Sequence, residues 1–147
     1  MMKVTRELIE SVLDEVSNLI KGPIVLGGSA SLVILGLIDR EIHDVDVFTT
    51  IDSELLKKCQ HRRNSYCYEY YQLFYPDLNN VDLFMISKGV IRYYEIEWNG
   101  LHLNVMNPYA TIYAKTLSYH KKHFDDIKCI SKVIDLGLSD EKRIVVE

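Results

Sequence analysis

The sequence predicts an α+β fold in which a mixed β-sheet is flanked by helices. Three observations carry this. Apolar residues recur at helical spacing at the start of the chain and again near its end. Short apolar runs and alternating patterns fill the middle, punctuated by turn residues. The resulting order is helix, strand, helix, strand, helix, several strands, then two helices, which is not the regular alternation of a doubly wound parallel sheet. The 147 residues, 48% of them hydrophobic and 26% charged, fit a single domain over 1–147. Such a chain builds its core without disulfides or metal, and its composition excludes a disordered tail, a coiled coil and a collagen-like repeat.

The first helix is read from Leu8, Ile9, Val12, Leu13, Val16, Leu19 and Ile20, and Gly22-Pro23 stops it. Ile24-Val25-Leu26, bounded by Pro23 and Gly27, suits a buried strand. Gly27-Gly28-Ser29 forces a turn, and Ala30 to Leu37 follows as a buried helix. Ile42 to Phe48 alternates as a strand, and Asp52 or Ser53 caps a helix running to about His61. Tyr66 to Phe74 and Val81 to Ile86 form a strand pair across Pro76-Asp77-Leu78-Asn79-Asn80. Asn99-Gly100, between Ile91 to Trp98 and Leu101 to Met106, is the strongest hairpin signal in the chain. Asn107-Pro108 starts a helix whose face is Tyr109, Ile112, Tyr113, Thr116 and Leu117. A last helix presents Ile127, Ile130, Ser131 and Ile134 and ends at Gly137.

The net charge of −4 (17 Lys and Arg against 21 Asp and Glu) argues against a protein that wraps polyanions at large. Cys59, Cys67 and Cys129 make an odd set without metal-binding spacing, as expected of reduced thiols. The opening Met1-Met2-Lys3-Val4-Thr5-Arg6 leads into an acidic amphipathic segment, and no apolar run reaches the length of a membrane span. The expectation is a soluble cytoplasmic protein without a membrane partner.

Three features converge on chemistry. Gly27-Gly28-Ser29 lies between a strand and a helix, where glycines admit a ligand close to the backbone and the helix start favours phosphate. Asp44-Val45-Asp46 lies inside an apolar strand, so both carboxylates share one face about 6.5–7 Å apart. Such a pair repels itself, and a divalent cation relieves the repulsion. An exposed edge with Val45 and Val47 facing the core fits equally well, and the spacing alone leaves both readings open. Asp82, in Val81-Asp82-Leu83-Phe84-Met85-Ile86, is either a third carboxylate on a neighbouring strand or a strand-start Asp beside the Asn79-Asn80 turn.

Gly27-Gly28-Ser29, the following helix, Asp44-Val45-Asp46 and the later-strand Asp82 together resemble the nucleotidyltransferase superfamily that shares the DNA polymerase β fold. The Gly-Gly-Ser-Ala form, with Leu32 to Gly36 behind it and Arg40 ahead of the Asp pair, is most similar to small bacterial and phage members, the AbiEii/MenT-type toxin nucleotidyltransferases. Gly100 to Tyr109, Lys115 and Lys122-His123-Phe124-Asp125-Asp126-Ile127 extend the likeness from about Pro23 to Ile134. The resemblance implies that Gly27, Gly28 and Ser29 bind the triphosphate of a nucleoside triphosphate. It implies that Asp44, Asp46 and Asp82 hold Mg²⁺ or Mn²⁺, with Asp82 at or beside the base that activates a hydroxyl. The implied reaction moves a nucleoside monophosphate onto an RNA (tRNA-like) or protein hydroxyl and releases pyrophosphate. Two departures stand out: His123 replaces the usual acidic residue after the late Lys, and no Arg follows Gly-Ser. Neither removes a metal ligand.

Lys115 is read as a phosphate contact or, with Lys122, as one of two solvated lysines off the Tyr109/Ile112/Tyr113/Leu117 face. Lys57, Lys58, His61, Arg62 and Arg63 form a basic run, either a phosphate or RNA patch or a solvated helix end. Tyr66, Tyr68 and Tyr70 share a strand face that serves sheet packing or stacks a base. A non-catalytic binding module, as in a toxin–antitoxin or phage–host pair, is the alternative function, and 147 residues leave no room for a large acceptor-binding domain. For a minimal nucleotidyltransferase core of this length, the expectation is that a protein partner or a homo-oligomer supplies the acceptor site.

Overall fold

The computed structural model of the protein describes residues 1–147 apart from Tyr66, residues 118–120 and the side chain of Lys122. The expectations for Tyr66 and for the side chain of Lys122 therefore lie outside the described residues. The elements in order are α1 (Arg6–Leu19), β1 (Val25–Gly27), α2 (Gly28–Ile34), β2 (Val45–Thr50), α3 (Ser53–Leu56), β3 (Arg62–Asn64), β4 (Tyr68–Tyr75) and β5 (Val81–Trp98). Then follow β6 (Leu101–Met106), α4 (Pro108–Thr116), α5 (Lys121–Ile127), a 3₁₀ helix (Lys128–Leu136) and β7 (Lys142–Val146). Among the described residues no helix is long and apolar enough to cross a membrane.

The strands form one mixed sheet in the order β2-β1-β6-β5-β4-β3, with β2 also paired to β5 and β7 paired to β5. The predicted α+β class and its flanked mixed sheet are what is observed. Alternation decides which face goes inward. Val45 and Val47 of β2 and Val81, Leu83 and Met85 of β5 sink into one core against Ile9, Val12 and Val16 of α1. Each such side chain, fully removed from water, contributes about 1.5–3 kcal/mol. Thr5 starts α1 by accepting a hydrogen bond from Leu8 N through its side chain. Leu32, Leu37, Ile112, Cys129 and Val133 form a second core where α2, α4 and the 3₁₀ helix meet.

Several boundaries differ from expectation for identifiable reasons. The helix at Ser53 stops at Leu56, and Arg62–Asn64 instead becomes an edge strand paired with β4, held by an Arg62–Glu69 ion pair. Ile42 is not strand; it forms a single bridge with Met2. The segments 81–86 and 91–98 are one strand, because residues 87–90 carry β5 from its β2 and β4 pairings into its β6 and β7 pairings. Of the face expected of α4 only Ile112 is buried: Tyr109, Tyr113, Thr116 and Leu117 are exposed, and Pro108, Thr111 and Lys115 join Ile112 inside. The C-terminal face is likewise rotated. Cys129 and Val133 are buried and Ile130 and Ile134 exposed, because buried Asp126 sets which side points inward. Strand β7 has no strong signal of its own beyond Ile144-Val145-Val146 and was not anticipated.

Gly89 marks the point where β5 changes partners, lying opposite both Tyr68 of β4 and Val146 of β7. Its φ of +139° is hard for any residue with a Cβ, and a Cβ there would lie 2.8 Å from the Cys67 carbonyl oxygen. Gly89→Ala is expected to destabilise the protein by about 1–3 kcal/mol, read as a lower urea midpoint at unchanged slope.

Candidate active site

The antiparallel pairing of β1 with β2 sets Gly27 opposite Asp46. Gly28 then turns the chain into α2 with φ +60°, and a Cβ on it would fall 2.1 Å from Asp46 Oδ2. Both the backbone and the space require glycine at this position. The parallel pairing of β2 with β5 places Asp46 beside Asp82, and Asp44, expected inside the strand, lies just before its start and still reaches the cluster. Asp44, Asp46 and Asp82 each offer an oxygen, and these all lie within 4.8 Å of one another. The exposed-edge reading of Asp44-Val45-Asp46 is corrected by this: β2 is paired on both sides, Val45 and Val47 fill the core, and the carboxylates cluster on the opposite face rather than standing solvated at an edge.

The cluster is under electrostatic load. Burial, then the charges of Asp44 and Asp82, push the Asp46 carboxyl well above its usual range, against the pull of Lys115. Burial also raises Asp82, while Gln72 holds its charged form by donating from Nε2 to both carboxylate oxygens at 2.9 Å. Three oxygen donors of this kind, all within 4.8 Å of one another, suit a small hard divalent cation. The residues present thus fit the group implied for them.

Beside the carboxylates stands a cationic bracket. Lys115 is buried, at 6% exposure; its Nζ donates to Ser29 Oγ at 2.8 Å and lies 3.0 Å from Asp126 Oδ2. The reading of Lys115 as a solvated lysine is corrected by this. Arg40 donates to Ser29 Oγ from Nη2 at 2.7 Å and forks onto Asp126 at 3.0 and 2.6 Å. Ser29 Oγ accepts from two cations, which leaves its own hydroxyl hydrogen to be donated. Burial would raise the Asp126 carboxyl, but hydrogen bonds from Arg40 and Lys115 outweigh it and hold Asp126 below the usual range.

Asp126 was not singled out as functional from the sequence, and Arg40 entered only as part of a resemblance. The available signal was an acidic residue on the same face as Cys129 and Val133, three and seven residues on. The basic run is exposed, and Arg62 is spent on Glu69. Arg63 stands on the edge strand opposite Tyr70, where its charge lowers the pKa of Asp82.

Next to the site opens a cleft of about 240 Å³. Gly28, Asp46 and Lys115 are part of its lining, so it adjoins the carboxylate site. Phe48 and Phe84 stack at 4.7 Å and 10° beneath it, with Tyr68 and Tyr70 tilted against them at 5.9 and 5.6 Å. Burial pushes the Tyr68 phenol up to about 12, so it is neutral at physiological pH.

No family model matches the sequence, and no curated protein is significantly similar to it. Solved structures do share the fold. The lincosamide antibiotic adenylyltransferase LnuA, in its lincomycin-bound crystal structure, superposes with a TM-score of 0.59 at 14% identity over 89% of this chain and 99% of that one. An antigenic nucleotidyltransferase-like protein from Paracoccidioides brasiliensis gives 0.52 at 18% identity, over 92% and 78% of the two chains. The antibiotic-resistance factor ANT(2'')-Ia gives 0.54 at 14% identity, over 88% and 87%. At these identities the likeness is one of fold.

Removing the Asp126 charge leaves Lys115 buried without its carboxylate, which costs on the order of 3 kcal/mol. Because the folded pKa of Asp126 is lowered, its contribution is present above the ordinary carboxylate pKa of about 4 and is lost as pH falls through the lowered folded value. Urea unfolding of Asp126→Asn should therefore show a clear deficit at neutral pH that narrows in acid.

Proposed function

We propose that the protein is a divalent-metal-dependent nucleotidyltransferase, moving a nucleoside monophosphate from a nucleoside triphosphate to an acceptor hydroxyl with release of pyrophosphate. The observation that carries this is the convergence of Asp44, Asp46 and Asp82 beside Gly28, with Ser29, Lys115 and Arg40 gathered at the same loop. The fold shared with LnuA and ANT(2'')-Ia supports the same reaction class. A non-catalytic module would have no use for three mutually repelling carboxylates at one point, so the convergence weighs against that alternative.

Asp44, Asp46 and Asp82 would hold Mg²⁺ or Mn²⁺, which neutralises charge on the α-phosphate and lowers the pKa of the attacking oxygen. The chain's own residues account for the rest. Gly28 lets the phosphates approach the backbone, and Ser29 donates its hydroxyl hydrogen to a phosphate oxygen. Lys115 and Arg40, fixed by Asp126, offset the charge that builds on the departing pyrophosphate. The acceptor oxygen attacks the α-phosphorus as the bond to the β-phosphate bridging oxygen breaks, and the hydroxyl proton passes to Asp82 or a water beside it. Gln72, donating to both oxygens of Asp82, fixes the position of that carboxylate.

Two acceptor classes have separate support. The motif likeness to AbiEii/MenT-type proteins favours an RNA or protein hydroxyl and a toxin–antitoxin or phage setting. The lincosamide adenylyltransferase, whose whole length this chain nearly matches in fold, favours a small hydroxylated compound. Incubation with each α-labelled nucleoside triphosphate and tRNA, cell extract or hydroxylated small molecules separates the two by what becomes labelled.

Nucleoside triphosphate binding is expected to require Mg²⁺ and to weaken about 100-fold or more in Asp46→Asn, measured by equilibrium dialysis. Without metal the same substitution is expected to raise the melting temperature, since it removes one of three repelling charges. Metal-independent binding indifferent to Asp46→Asn would sink the enzyme reading.

A further inference from the structure

We infer that the aromatic cleft seats the base of the nucleoside triphosphate; this rests on the nucleotidyl-transfer reading and assigns it a substrate-binding surface. The placement follows from strand alternation. Phe48 follows Asp46 by two residues on β2, and Phe84 follows Asp82 by two residues on β5. Each ring therefore shares the carboxylate face, one pleat of about 6.5–7 Å further along. That step is about the reach of a ribose between a phosphate and its base.

The cleft takes the nucleoside half of the reaction rather than the acceptor half. Gly28, Asp46 and Lys115 belong to its lining, at the carboxylate site where the phosphates lie. Among the described residues Asp82 and Gln72 do not line it, and these mark the side from which the hydroxyl comes. A ligand whose phosphates rest on Gly28 and Lys115 thus has its sugar and base directed along the aromatic floor. The acceptor is left the open face beside Gln72 and Arg63.

The chemistry of the walls agrees. Phe48 and Phe84 present aromatic surface beneath a ring, and Tyr68 and Tyr70 flank it, so a base finds stacked or edge-to-face partners. Ala110 and Ala114 of α4 complete the opposite wall with small side chains, leaving width for a planar group. The cleft is thus a slot with charged groups where it adjoins the carboxylate site and aromatic rings beyond, which matches the polarity of a nucleotide along its length.

The test uses a pair of ligands, a nucleoside triphosphate and inorganic triphosphate, each with Mg²⁺, and two variants. Ala114→Trp fills the slot from an exposed helix position, and Phe84→Leu keeps apolar volume but removes a ring. Both are expected to weaken nucleoside triphosphate binding about tenfold while inorganic triphosphate binds within about twofold of wild type. Circular dichroism and thermal melting confirm that each variant is folded. Equal binding of the nucleotide by wild type and both variants overturns the assignment, as does an equal loss for both ligands. A raised KM for the acceptor with unchanged nucleotide affinity also overturns it and gives the cleft to the acceptor. If wild type binds neither ligand, it is the nucleotidyl-transfer reading that fails.

Discussion

The architecture turns on the contact between Asp46 and Gly28. A carboxylate oxygen lies 2.1 Å from where a Cβ on Gly28 would be, so the loop after β1 and the start of β2 are pressed together with no room for a side chain on Gly28. This contact fixes three things at once. It bends the chain at Gly28 into α2, it brings Ser29 to the carboxylate edge, and it holds Asp46 beside Asp82 through the β2–β5 pairing. The cost is electrostatic: Asp46 is driven toward its protonated form by burial and by two neighbouring carboxylates. A protein selected for stability alone would place a neutral residue there.

The opposite sign is assembled from far along the chain. Lys115 and Arg40 are separated in sequence by strands β2 to β6 yet meet on Ser29 and Asp126. Lys115 joins the two halves, because its charge also opposes the rise of Asp46. Asp126 keeps both cations from collapsing onto the acidic cluster, since each is already bonded to it. Its burial reaches further. Once Asp126 faces inward, Cys129 and Val133 must follow, and Ile130 and Ile134 turn to solvent.

That rotation shows which features the sequence could reveal. Signals within a few residues were legible: the Asn99-Gly100 hairpin, the Asn107-Pro108 helix start, the Gly-Gly-Ser turn and the same-face Asp44 and Asp46 all reflect local geometry. The site was legible where such signals carried it. What depended on partners distant in sequence was not. Arg62–Asn64 is strand only because β4 offers an edge, and 87–90 is strand only because β5 passes from one set of partners to another. The inward face of α4 was hidden because a lysine and a threonine take core positions that hydrophobicity assigns to Tyr109, Tyr113 and Leu117. Lys115 can be buried only because Asp126 and Ser29 receive it, and no spacing rule links positions 115, 126 and 29.

The same alternation that builds the core also builds the working face. On β2 and β5 the residues that face away from the α1 core are Asp46 and Phe48, paired with Asp82 and Phe84 in matching order, and Asp44 joins them from just before β2. A slip of β2 by one residue against β5 would turn Asp46 inward and expose Val45 and Val47, while β5 kept its facing. Core and site therefore cannot shift independently, and the hydrophobic energy that sets the register also holds three repelling carboxylates together. This explains how a cluster that opposes folding can persist: its geometry is imposed from the other side of the sheet, by side chains that never touch the site.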